Sequence, residues 1–157
     1  MKTDTRDAGR RLWFFPILIL LLLSPAGCLS TGKGKKPAAT PLTDITWQWV
    51  ESVEQEGGAL TTVPNPEKYT IVFRGNGTYH GMADCNRISG SYAQVEGFKI
   101  VPGPSTMAYC GEDSLDKKFL ELLGLAVAGG LDGNGRLVLE PARGTTRIIF
   151  RNGGVAP

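Results

Sequence analysis

The sequence is poor in the side chains that enzymes use most. It has one histidine, His80, and three cysteines, Cys28, Cys85 and Cys110, among 157 residues. No two cysteines form a CxxC pair, and a metal site would need further ligands that the spacing does not suggest. A phosphate loop, a nucleophile elbow and a carboxylate dyad with supporting context are all missing. No catalytic residue, metal or cofactor is therefore expected, and the chain is not expected to be an enzyme. His80, in "TYHGM", lies five residues before Cys85. On one straight strand the two side chains face opposite sides, so a nucleophilic Cys–His pair would need a bend, and His80 reads as a plain strand histidine. Charge of one sign is scarce too, with 17 basic against 15 acidic groups. Arg136, Arg143, Arg147 and Arg151 fall among turn and strand residues. They read as solvated faces, so no nucleic acid is expected as a partner.

Long apolar runs are confined to one place. The chain begins "MKTDTRDAGRRLWFFPILILLLLSPAGC". Lys2, Arg6, Arg10 and Arg11 stand against Asp4 and Asp7, and an apolar run follows from Leu12 to Leu23, interrupted by Pro16. It is shorter than the roughly 20 residues of a good spanning helix. A basic segment, an apolar segment and small residues before a break describe an export signal, read here as residues 1–27. "LSPAGC" resembles a bacterial lipobox, with Ala26 and Gly27 before a cysteine, Cys28, that would be lipidated. Pro25 stands where that pattern usually has leucine. Arg10-Arg11 resembles a twin-arginine signal, but the leucine-rich run looks more like the general secretory route. One acyl chain holds a protein only marginally and several hold it firmly, at about 0.8 kcal/mol per buried methylene. Residues 28–44, with "LSTGKGKKPAATPLTD" after the cysteine, read as a flexible tether that cannot bury a core. Lys33, Lys35 and Lys36 belong to that spacer. Leu29 rather than aspartate after Cys28 favours the outer membrane, facing the periplasm.

Taking residues 1–27 from 157 leaves 130. Without the tether about 113 remain, enough for a single small domain. Residues 1–27 hold four basic and two acidic groups, so 13 of each remain, and removing the tether lysines leaves 10 against 13.

Turn residues punctuate this part at short intervals: "QEGG", "RGNG", "VEGF", "PGP", "AGG", "LDGNG" and "ARGT". Between them "TWQWVESV" alternates Trp47, Trp49 and then Ser52 or Val53. "YTIVF", "FKIV", "RLVLE" and "TTRIIF" are rich in β-branched and aromatic residues. The pattern is that of an antiparallel, mainly β domain over 45–152 with a short tail at 153–157. "FRGNGTY" and "GLDGNGRLVL" read as tight hairpins whose glycine and asparagine take positive φ. "DGNGR" faintly resembles a calcium loop without the later acidic ligands, and a hairpin turn is the better reading. One segment differs. "DSLDKKFLELLG" places Leu115, Phe119 and Leu122 at helical spacing, with Leu123 adjoining. The spacing predicts an amphipathic helix over 114–123, capped by Ser114 and closed by Gly124, with its apolar stripe turned to the core.

From Trp47 to Phe150 the chain resembles the META domain, the family of the heat-shock protein HslJ. The likeness rests on Trp47, on "F-x-x-x-G-x-Y" (Phe73, Gly77, Tyr79), on "DCNRISGSY" from Asp84 to Tyr92, and on "STMAYC" from Ser105 to Cys110. The amphipathic helix and two closing strands follow. The resemblance implies a small β-barrel-like or strongly curved sheet with one packed helix. It also implies a role in the envelope, with relatives linked to heat stress, antibiotic tolerance or, in protozoa, motility. It does not imply a known catalytic activity, because the family has no agreed one.

Cys85 and Cys110 have three readings. In an oxidising export compartment a disulfide is the natural one. A closed loop of about 26 residues would then stabilise by roughly 3 kcal/mol in the chain-entropy treatment. The others are two buried thiols, or metal or redox chemistry. Asn86 reads as a bend residue bonding local backbone. The leading functional expectation is a non-enzymatic envelope lipoprotein, a stress-related binding or accessory module. Its partners would be the membrane, through Cys28, and an envelope protein or small molecule, with the chain a monomer. A lysozyme-type inhibitor, plugging an active site with "VPGPSTM", is the main alternative. A hydrophobic-ligand carrier is another, and it requires an open barrel interior.

Overall fold

The structure is a computed structural model that describes residues 42–95, 97–142 and 146–157. Cys28, the signal and most of the tether lie outside the described residues, as do Glu96 and Arg143.

The first strand shows how the sequence builds the core. In β1 (Ile45–Glu54), Ile45, Trp47 and Trp49 are buried and the residues between them are not, the two-residue period of a strand with one dry face. A register shift between Trp49 and Glu51 then moves the dry position to Ser52. The short β2 (Leu60–Thr62) pairs with the end of β1. Next come β3 (Tyr69–Phe73), β4 (Thr78–Ala83), β5 (Asn86–Ala93) and β6 (Lys99–Ser105), joined by successive antiparallel turns. A helix, α1 (Asp116–Leu125), precedes β7 (Ala126–Leu131), β8 (Leu137–Pro141) and β9 (Thr146–Val155). The order across the sheet is β6-β5-β4-β3-β1-β9-β8-β7, every neighbour antiparallel. The domain is mainly β, a curled antiparallel half-barrel with a single α-helix among the described residues, as expected. The curl brings the two ends of the path close, where Phe98 N donates to Val127 O at 2.9 Å.

The hairpins fall where the glycines predict. In the β3–β4 turn Gly77 takes φ 81°, a conformation glycine adopts freely. Asn76 and Asn134 do not take positive φ, contrary to expectation. Asn76 instead accepts from Thr78 N through Oδ1, at 3.1 Å. In the β7–β8 turn the carboxylate of Asp132 accepts from Asn134 N and Arg136 N, each at 2.9 Å, so it serves the turn itself.

The helix is displaced from its expected place. It spans Asp116–Leu125 rather than 114–123, with Leu115 at the cap position. The hydroxyl of Ser114 still accepts from Asp116 N at 3.2 Å, one residue earlier than the cap position. Gly124 does not close the helix but lies in its last turn, because the chain passes straight into β7 and buries Ala126. Phe119 and Leu123 are fully buried, while Leu115, Leu120 and Leu122 pack partly against the core.

The inside of the curved sheet is filled. Phe119 stacks on Trp49 at 5.4 Å between ring centroids, and Tyr69 meets both rings edge-on. Phe73 meets Tyr92 at 4.7 Å and Phe98 at 5.4 Å. This packing runs against a hydrophobic-ligand carrier, whose barrel interior must stand open. Residues at both ends, read as tether and tail, join the domain. Trp47 Nε1 donates to Leu42 O, Asp44 pairs with Arg74 at 3.0 Å, and Val155 pairs with Ile45 at the end of β9.

Candidate functional site

The stretch that opens β5 and the stretch that follows β6 meet. Ala83 and Asn86 are paired, leaving Asp84 and Cys85 as the turn between β4 and β5. Asp84 takes φ 57°, in the left-handed region that aspartate tolerates better than most residues. Its carboxylate receives Lys68 Nζ at 3.3 Å and the Tyr69 hydroxyl at 3.3 Å. Burial pushes the Asp84 carboxyl upward, but hydrogen bonds from Ser114, Lys68 and Tyr69 and the Lys68 charge outweigh it and hold it below the ordinary range. The same Tyr69 hydroxyl accepts from Leu115 N at 2.9 Å. One phenol therefore joins the β4–β5 turn to the start of α1.

Asn86 is the centre of the arrangement. It is 2% exposed. Its Oδ1 accepts from Ala108 N at 2.7 Å and from the Thr106 hydroxyl at 3.1 Å. Its Nδ2 donates to Ala108 O at 3.0 Å and to Asp116 Oδ2 at 3.2 Å, and approaches Cys110 Sγ at 3.2 Å. Thr106 completes the seam, donating N–H to Arg87 O at 3.0 Å and accepting from Arg87 N at 2.8 Å through Oγ1. Asn86 is thus no local bend residue. It starts a strand and holds a segment about twenty residues further along the chain.

Cys85 and Cys110 are joined as a disulfide, with Cα atoms 5.6 Å apart. Of the three readings of these cysteines, the structure adopts the covalent bond, so neither sulfur is a free thiol. His80 lies on β4 opposite Ser89, away from this turn. It lines a separate groove of about 650 Å³ with Val72, Met82, Arg87 and Pro104. Burial, and then the charge of Arg74, hold its imidazole below the ordinary range.

Residues 106–110 alternate. Thr106, Ala108 and Cys110 bond back toward Asn86, whereas Met107 and Tyr109 are 94% and 81% exposed. A second groove, of about 580 Å³, separates this segment from α1 and is lined by Tyr109, Glu112, Asp116, Lys117 and Leu120 among others. The arginines near the end of the chain serve separate contacts. Arg136 pairs with Glu51 and Asp132, Arg147 with Glu140, and Arg151 donates to Gln48. Sequence reasoning missed the Tyr69–Asp84 link and the reach of Asn86. The available signal was a polar residue between a cysteine and a strand, which does not name its distant partner. No described helix is long and apolar enough to cross a membrane.

A family model described as META domain matches residues 40–153. No curated protein matches the chain. Among solved structures, a DUF4847 family protein from Bacteroides vulgatus is similar in fold, with a TM-score of 0.56 and 18% identity over 69% of this chain and 92% of that one. A protein from Burkholderia xenovorans is similar with a TM-score of 0.55 and 20% identity over 76% of this chain and 96% of that one.

Proposed function

The chain belongs to the META domain family, and from that premise we propose that it is a non-enzymatic, lipid-anchored binding module of the bacterial envelope, active under stress. One observation carries the reading. The polar side chains gathered at the motif are engaged with one another: Asn86 with the 106–110 segment, Asp84 with Lys68 and Tyr69, and the sulfurs in a disulfide. Such a set builds a scaffold, and neither sulfur is free to act as a nucleophile. The lipobox-like "LSPAGC" supports anchoring at Cys28. The test is mass spectrometry of the mature protein beside a heat-survival assay of a deletion strain. An acylated amino terminus at Cys28, and rescue by the parent but not by Cys28→Ala, support the reading. An unmodified amino terminus beginning elsewhere overturns the anchor, with Pro25 the prime suspect.

A lysozyme-type inhibitor is the second reading. Its support is the exposure of Met107 at the end of "VPGPSTM". An inhibition assay with purified lysozyme separates the two.

A further inference from the structure

We propose that Met107 and Tyr109, with Glu112 and Asp113, form a preformed docking surface for a basic protein. The proposal rests on the binding-module reading and adds the surface and the class of partner.

Met107 is the most exposed large apolar side chain among the described residues, and Tyr109 is 81% exposed two positions on. Exposed apolar groups that stand singly need no explanation, but these two share a backbone that is held with unusual thoroughness. Asn86 bonds both polar backbone atoms of Ala108, the residue between them. Thr106 is tied to Arg87 on one side, and Cys110 is bonded to Cys85 on the other. The segment therefore cannot fold its apolar side chains inward. Its backbone is already held before any partner arrives, which removes the loop-ordering share of the entropy lost on association. Tyrosine and methionine are also enriched where interfaces concentrate their binding energy.

Charge selects the partner. Glu112 and Asp113 follow at once, both exposed and without an ion pair among the described residues. Over residues 112–118 the acids Glu112, Asp113 and Asp116 outnumber the bases Lys117 and Lys118, and Glu112 and Asp116 line the adjoining groove with Lys117. A lysine or arginine brought to this surface meets unpaired carboxylates and the face of a tyrosine ring, which attracts a cation. An anionic lipid surface would be repelled by the same carboxylates.

The test is a photoreactive benzoyl-phenylalanine placed at position 109 of the full chain, in cells that make the protein, with cross-linked peptides sequenced. The expected product is one identified protein, joined through a peptide bearing lysine or arginine. Its yield should fall at least 10-fold in Glu112→Lys/Asp113→Lys and in Met107→Ser, with unfolding temperatures unchanged. Cross-links to lipid, to an acidic peptide, or at a yield indifferent to charge reversal overturn the proposal. Repeating the experiment in Cys28→Ser separates the claims. Cross-linking that persists without the anchor keeps the surface even if anchoring proves wrong, and an acylated protein with no basic partner defeats the surface alone.

Discussion

Asn86 shows what one buried amide can organise. Removing it leaves Ala108 N, Ala108 O and the Thr106 hydroxyl without their partner. Thr106 and Ala108 are exposed, so each lost bond counts at its net value of about 1 kcal/mol. Asn86→Ala should therefore lower the unfolding free energy by about 3 kcal/mol in denaturant titration. Asp84 gives a prediction in pH. Its folded carboxyl ionises more readily than in the unfolded chain, so its contribution is fully present above the unfolded value of 3.8 and is lost as pH falls through the lower folded value. Asp84→Asn should be less stable than the parent at neutral pH, and the difference should vanish in strong acid. A difference that stays constant with pH, followed by thermal unfolding, would contradict the assignment. At this scale the cysteine pair was legible, because compartment and spacing bear on it. The partners of Asn86 were not, because a side-chain bond across more than twenty residues leaves no local periodicity.

The strands and the helix differ in how plainly they were written. "YTIVF" coincides with β3, and "RLVLE" starts one residue before β8 and ends one residue short of its end, because β-branched and aromatic runs fit a pleated, buried surface. The helix existed where expected, yet its bounds moved from 114–123 to Asp116–Leu125. Tertiary bonds set its start, through Tyr69 to Leu115 and Asn86 to Asp116, and the burial of Ala126 set its end. Burying an unpaired carboxylate there costs several kcal/mol. Phe119→Asp should accordingly unfold the domain at moderate temperature, since Phe119 is fully buried between Trp49, Tyr69 and Phe150. The irregularity in β1 was only half legible. Alternation predicted Trp47 and Trp49 but left Ser52 and Val53 open, and the shift after Trp49 turns Ser52 inward. Its hydroxyl is buried with no partner among the described residues. Ser52→Ala should therefore stabilise by about 1 kcal/mol, seen as a rise in unfolding temperature.

At the scale of the molecule, the described residues form a curled sheet and one α-helix around an aromatic core, while the motif that marks the family gathers at one corner. The central claim divides that corner into two roles: Cys85, Asn86, Thr106 and Cys110 hold the backbone, and Met107 and Tyr109 face outward, free of any structural duty, as the proposed docking surface requires. Equilibrium unfolding in guanidinium of two double variants tests it most directly. Cys85→Ser/Cys110→Ser should lose about 3 kcal/mol, the value of a bond closing a loop of this length. Met107→Ser/Tyr109→Ser should stay within about 0.5 kcal/mol of the parent, as exposed substitutions do. A disulfide variant as stable as the parent, or a large loss on replacing Met107 and Tyr109, would contradict the account.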